Sequence, residues 1–137
     1  MWISLVLTMA MQAQAALPDF AAELDARFVL DLHEKKIDDV LTLYTPDAVF
    51  VQPDGTEVSG AAMRGLYEQV AKTLDSDLHL SPVHAKRHGD VVDEDGTSTE
   101  TLGHRDTGKV EDVKGTYRFV THRGTDGRWR YTRMEWH

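Results

Sequence analysis

The sequence contains no cysteine, and that absence removes disulfide bridges, thiolate metal sites, cysteine nucleophiles and lipid attachment through an N-terminal cysteine. Basic residues are scarce: 15 Lys and Arg stand against 23 Asp and Glu, for a formal net charge of −8. Such a charge repels phosphate backbones and anionic membrane surfaces, so no nucleic acid partner is expected. No apolar run approaches the roughly twenty residues that span a bilayer, which argues against stable membrane insertion. No Ser stands in a G-x-S-x-G elbow, and no glycine-rich phosphate loop occurs. At 137 residues the chain is one domain's worth, enough for a single core with a modest cavity and too short for a separate cofactor domain. No cofactor is expected.

The first sixteen residues, MWISLVLTMAMQAQAA, carry no charge and hold an apolar run from Trp2 to Met11. An Ala13-Gln14-Ala15 triplet of the A-x-A type follows, the pattern that signal peptidase reads. The expectation is a signal peptide over residues 1–15, a single domain over 16–137, and an exported protein, periplasmic or secreted. No Lys or Arg precedes the apolar run, and an ordinary N-terminal helix packed on the domain is the alternative.

Beyond that segment Asp19 sits where an N-cap belongs, and Phe20, Leu24, Phe28 and Leu32 follow at i, i+4, i+8 and i+12 as one helical stripe. Ile37, Val40, Leu41 and Tyr44 repeat the pattern on a second, shorter helix. Thr45-Pro46-Asp47 then ends it, because the residue before a proline is pushed out of the α region. Ala48 to Gln52 reads as a strand and Pro53-Asp54-Gly55 as a turn, with proline fixing φ and glycine allowing positive φ. Ser59-Gly60 opens a third helix with Met63, Leu66, Tyr67, Val70 and Leu74 on one face. Four segments of strand character follow, Leu78 to Arg87, Val91 to His104, Val113 to Arg123 and Arg128 to Trp136, separated by glycine-bearing turns. The pattern predicts an α+β domain in which three helices pack on a strongly curved sheet.

The stretches Leu43-Tyr44-Thr45-Pro46-Asp47-Ala48-Val49-Phe50, Gly60-Ala61-Ala62-Met63-Arg64 and Asp126-Gly127-Arg128-Trp129 together resemble the SnoaL-like proteins of the nuclear transport factor 2-like superfamily. The resemblance covers roughly Asp19 to His137. It implies a cone-shaped fold whose curved antiparallel or mixed sheet and inner helix faces enclose a pocket open at one end. Family members commonly join the first two helices with Gly-Asp; here Lys35-Lys36 stands there, so either Asp38 caps the second helix or the helices run on with a bend.

The same resemblance tests an activity. Ketosteroid isomerase, a member of the superfamily, keeps its base just after the first strand, at the position of Gln52, and an amide cannot abstract a proton. The position of its oxyanion tyrosine is Phe28, and no carboxylate falls near 115–117, where the partner acid belongs. That enolising reaction is therefore not expected. Related dehydratases and cyclases place histidines and carboxylates on strands lining the cavity, and here Glu100 and His104 share parity on one strand, which makes them the candidate acid–base pair. His79, His84 and His122 lie on other strands. His84 and His88 have helical ligand spacing on a segment that reads as strand and turn, so no metal site is expected. In Asp93-Glu94-Asp95-Gly96 the first ligand position of a calcium loop is Val91, and the run reads as a solvated strand edge.

Period-two alternation puts Arg130, Thr132, Met134 and Trp136 on one face of the last strand and Trp129, Tyr131, Arg133 and Glu135 on the other. Comparison with the isomerase turns the Trp136 face inward, along with Phe28, Phe50 and Gln52; Tyr117 and Phe119 share a face that adds to the lining. The candidate ligand-binding set is Phe28, Phe50, Gln52, Tyr117, Met134 and Trp136, suited to a small hydrophobic ligand. Each of these side chains could equally serve as cone filling. Two readings remain open: an exported domain that binds a small apolar molecule, and a cofactor-independent lyase, cyclase or isomerase using Glu100 and His104. Family resemblance also implies a homodimer through the open sheet face, with Trp129 and Tyr131 as contacts.

Overall fold

A computed structural model describes residues 17–137; the expected signal peptide lies outside them. Two helices, α1 (Asp19–His33) and α2 (Ile37–Thr42), lead into β1 (Tyr44–Val51) and a short β2 (Glu57–Ser59). Helix α3 (Ala61–Thr73) and four long strands follow, β3 (Leu74–His88), β4 (Val91–His104), β5 (Val110–Arg123) and β6 (Trp129–Trp136). They form one six-stranded sheet in the order β2-β1-β6-β5-β4-β3. Every pairing is antiparallel except β1 with β6, so the sheet is mixed and the helices pack on one face of it. This is the α+β arrangement of the sequence pattern, with β2 as an additional strand.

Several boundaries move for identifiable reasons. Asp19 is the first helical residue and Pro18 occupies the cap position. Tyr44, expected to end the second helix, opens β1 and pairs with Tyr131 of β6. The proline signal falls inside the strand: the β1–β6 register breaks between Tyr44 and Val49, where Pro46 has no N–H to give the ladder. Leu74, expected on the third helix, is already extended and begins β3.

At Lys35-Lys36 neither expected arrangement occurs. Lys35 adopts φ 60° and closes α1 with a Schellman motif, Lys36 N donating to Asp31 O at 2.9 Å and Lys35 N to Leu32 O at 3.2 Å. A lysine thus sits where the backbone favours glycine, held by an ion pair of 2.6 Å with Asp75.

The last strand carries the largest correction. Between β5 and β6 the register passes from Val120↔Arg133 to Thr121↔Tyr131, leaving Thr132 as an extra residue. A bulge of this kind reverses side-chain parity. Tyr131, expected on the outer face, is therefore fully buried beside Met134, and Trp129 turns toward α1 to stack on Phe20 at 4.1 Å. The outer face carries Thr97, Thr99 and Thr101 in place of these aromatics, with ion pairs such as Arg118 to Asp93 at 2.6 Å. The inner face packs Phe28 of α1 edge-on against Tyr131 (5.9 Å) and Phe119 (6.4 Å), and these rings fill the centre of the cone.

Close packing extends to the backbone at Gly96 of β4. A methyl group there would overlap Ser81 O of β3 and lie 2.8 Å from Tyr117 Oη. Gly96→Ala is expected to destabilise the fold by about 1–3 kcal/mol in urea unfolding, since neither backbone nor a buried tyrosine yields cheaply; a change below about 0.5 kcal/mol would contradict this account of the contact. Lys35→Gly is expected to act in the opposite direction. It relieves roughly 1–2 kcal/mol of left-handed strain and gives up a half-exposed ion pair worth at most about 1 kcal/mol. A lower midpoint for that variant would show that the pair outweighs the strain.

Candidate functional site

A cavity of about 230 Å³ opens at the wide end of the cone. Each wall follows from a local pattern. Helix α1 turns Phe28 and Leu32 inward, one turn apart on the same face. Leu66, Tyr67 and Val70 do the same on α3, and Phe50 and Trp136 approach from neighbouring strands with ring centroids 6.4 Å apart. On β4 the period of two brings Ser98, Glu100 and Leu102 to the wall.

Glu100 is the carboxylate of this wall. Register places it directly between Leu78 of β3 and Val113 of β5, two apolar neighbours. Ser76 Oγ donates to its Oε2, and the carbonyl of Ser76 meets His33 Nδ1 of α1 at 2.8 Å. Burial raises the Glu100 pKa above the ordinary carboxylate value, with the serine hydrogen bond opposing the shift. Trp136 lines the same cavity, and its indole Nε1 is buried with no partner among the described residues.

The structure therefore brings Phe28, Phe50, Glu100 and Trp136 to one cavity, and it places the other candidates elsewhere. Gln52 opens the turn before β2, its N–H donating to Thr56 O at 2.9 Å and its carbonyl accepting from Gly55 N at 2.8 Å. Met134 is fully buried in the core, where its Sδ accepts from Tyr44 Oη at 3.1 Å. Tyr117 is also buried and donates to Glu94 Oε2 at 3.3 Å. His104 lies at the last residue of β4, where the strand leaves the wall for the following turn. Its Nε2 is 3.3 Å from Glu111 Oε2, an ion-pair distance without hydrogen-bond geometry. Glu100 and His104 thus have different partners, Ser76 and Glu111.

One feature of the interior escaped the sequence pattern. Glu94, read as part of a solvated acidic edge, is 1% exposed, and it meets Asp25 of α1, which is 6% exposed. Tyr131 Oη donates to Asp25 Oδ1 at 2.5 Å. The signal was present in parity, since Glu94 shares the inward row of β4 with Val92, Gly96 and Glu100. Among the described residues no group of three or more His, Asp or Glu side chains is arranged to hold a metal ion.

A wider groove of about 520 Å³ runs outside the cone between α1 and β3. Its lining comes mostly from these two elements and mixes Ala22, Val29 and Leu80 with Asp25, His33 and His79. The smaller cavity is the better candidate site because seven strands and helices converge on it around the Glu100 carboxyl.

No curated protein matches this sequence. Among solved structures, a ketosteroid isomerase-like protein from Erwinia carotovora atroseptica superposes with a TM-score of 0.77 at 18% identity, over 85% of this chain and 92% of that one. A nuclear transport factor 2-like superfamily protein from Salmonella enterica gives 0.69 at 19%, over 84% and 85%. A candidate scytalone dehydratase from Novosphingobium aromaticivorans gives 0.77 at 13%, over 94% and 83%. At these identities the likeness is one of fold. Residues 26–132 match the SnoaL-like domain, most of the chain's length, and the chain belongs to the SnoaL-like domain family with its cone-shaped fold.

Proposed function

We propose that this protein binds a small, largely apolar molecule in the cone cavity, with Glu100 as its polar anchor. The observation that carries the reading is the composition of the wall: mostly aromatic and aliphatic side chains from both helices and sheet, with Ser98 and His137 among them, surround the half-buried carboxyl of Glu100. At about 230 Å³ the space is below the usual range for drug-sized ligands, roughly 300–1,000 Å³. Taking the liquid share of roughly 30 Å³ per water as a guide, it suits about eight non-hydrogen atoms. A monocyclic phenol or ketone has that size, with one polar end for Glu100.

Native mass spectrometry of the purified protein tests this directly. A bound species of small mass is expected, and the same spectrum reads the expected homodimer and an N-terminus at Ala16. As a defined probe, 4-ethylphenol is expected to give saturable saturation-transfer NMR signals. Val70→Trp, which fills the cavity from α3, is expected to weaken its binding about tenfold or more while leaving the circular dichroism spectrum intact. Binding unchanged by that substitution would place the ligand elsewhere.

One observation favours a second reading, a cofactor-independent lyase, cyclase or isomerase: burial raises the Glu100 pKa above its ordinary value at the cavity wall, a direction that favours proton transfer by a carboxyl. His104 stands off the cavity wall, so Glu100 would act without it. With a substrate in hand, Glu100→Gln is expected to lower kcat by about 10²-fold or more with KM little changed, and His104→Ala to leave both within about threefold. The reverse ranking would return the proton transfer to His104.

A further inference from the structure

Asp25 and Glu94 present a counting problem in hydrogen atoms. Both side chains are almost wholly buried, and between them they offer four oxygens. Tyr131 supplies a hydrogen to Asp25 Oδ1 and Tyr117 supplies one to Glu94 Oε2. Asp25 Oδ2 and Glu94 Oε1 are buried with no hydrogen-bond partner among the described residues, and the two carboxyls lie close enough for each to act on the other's proton. As two carboxylates the pair would leave both of these oxygens unsatisfied, because neither has a hydrogen to give, and their charges would repel at close range. One proton between Oε1 and Oδ2 satisfies all four oxygens and leaves the pair with a single negative charge. The other groups acting on the pair are Tyr131 of β6, Tyr117 of β5 and Asp95 of β4, and Tyr44 of β1 faces Tyr131; none is cationic.

Position gives this proton a consequence for the cavity. Asp25 lies on the same face of α1 as Phe28 and Leu32, three and seven residues further on, which form that helix's contribution to the wall. We infer that Asp25 and Glu94 share one proton, that the shared proton is a clasp fastening α1 to the sheet, and that its loss in alkali loosens the Phe28 and Leu32 wall of the cavity. The step is a simple deprotonation: the Glu94 O–H bond breaks, a solvent base takes the proton, and two facing carboxylates remain. Regulation of the ligand site by this clasp rests on the binding function proposed above; the clasp itself does not.

The direction of the pH dependence follows. Burial, with the hydrogen bond to Asp25, pushes the Glu94 carboxyl up to about 10, whereas in the unfolded chain it titrates near its ordinary value of 4.5. Between those values the folded state holds a proton that the unfolded state has lost. The folding constant therefore falls as pH rises, by up to about tenfold per unit for one proton, and levels off above the folded value. This contribution is greatest in weak acid.

Urea unfolding and hydrogen exchange of α1 amides, corrected for intrinsic exchange, provide the test when the unliganded protein is compared with Glu94→Gln. The amide of the variant donates permanently to Asp25 Oδ2 and has nothing to titrate. From about pH 6 to about pH 9 the wild-type folding constant is expected to fall at least about 10²-fold relative to the variant, with α1 protection falling in parallel. Equal slopes in the two proteins would overturn the clasp. Should the variant fail to fold, carbon-13 titration of the wild-type carboxyls decides the matter. One carboxyl is expected to stay protonated far above the rest, and ordinary titration of every Asp and Glu would overturn the proposal. The affinity of 4-ethylphenol is expected to fall more steeply with pH in the wild type than in Glu94→Gln, the Glu100 contribution being common to both. The same pH dependence of affinity in the two proteins, alongside a clasp seen in exchange, would overturn the coupling to the cavity and leave the clasp standing.

Discussion

The bulge at Thr132 decides what the cone encloses. β6 lies between its parallel partner β1 and its antiparallel partner β5, so its side chains reach the middle of the sheet. Without the extra residue, Met134 and Tyr131 would point to opposite faces. With it, both are fully buried on the same side, and Tyr131 reaches Asp25 while its ring meets Phe28, Tyr44 and Phe119. The helix that covers the sheet is thereby fixed to it at one point by a hydrogen bond between buried groups and around that point by ring contacts. Everything on α1 beyond Asp25, including the two residues of the cavity wall, takes its position from that attachment.

Distance along the cone then separates core from site. Near Tyr131 the rings pack at centroid separations of 5.3–6.5 Å and leave no room. Toward Trp136 and α3 the sheet and helices diverge, and the side chains that would close the gap are aliphatic and too short to do so. A cavity persists there because filling it would require larger residues at Val70, Leu74 or Val113. The apolar wall leaves Glu100 as the feature that distinguishes one ligand orientation from another.

Much of this was legible in the chain. Apolar stripes located α1 and α3, and turn residues separated the four long strands. Three family motifs in order specified the cone. Phe28, Phe50, Glu100 and Trp136 reached the cavity wall because each sits on a regular element whose period extends through it. Most failures fell where regularity breaks, although Glu94 was misread on an unbroken row of β4. Parity on β6 was counted straight through a bulge, and no residue type marks a bulge at Thr132. His104 was placed by parity on the last residue of a strand, where the wall has already ended. A lysine with φ 60° closed α1 because its pair with Asp75 holds it there, a contact between residues forty apart that no local pattern encodes.

Glu94 and Glu100 show why residue type alone does not assign chemistry. They stand six residues apart on the same inward row of β4, about 20 Å along the strand, and both carry raised pKa values through burial. Their neighbours differ. Glu94 faces a second carboxyl and two tyrosines in the packed part of the cone, so its proton is structural and no ligand can reach it. Glu100 faces a serine on one side and open space on the other, so its second oxygen is free to meet an incoming group. What separates a clasp from an anchor on this strand is the position along the cone at which each carboxyl emerges, and that position is set by the register of β4 between β3 and β5.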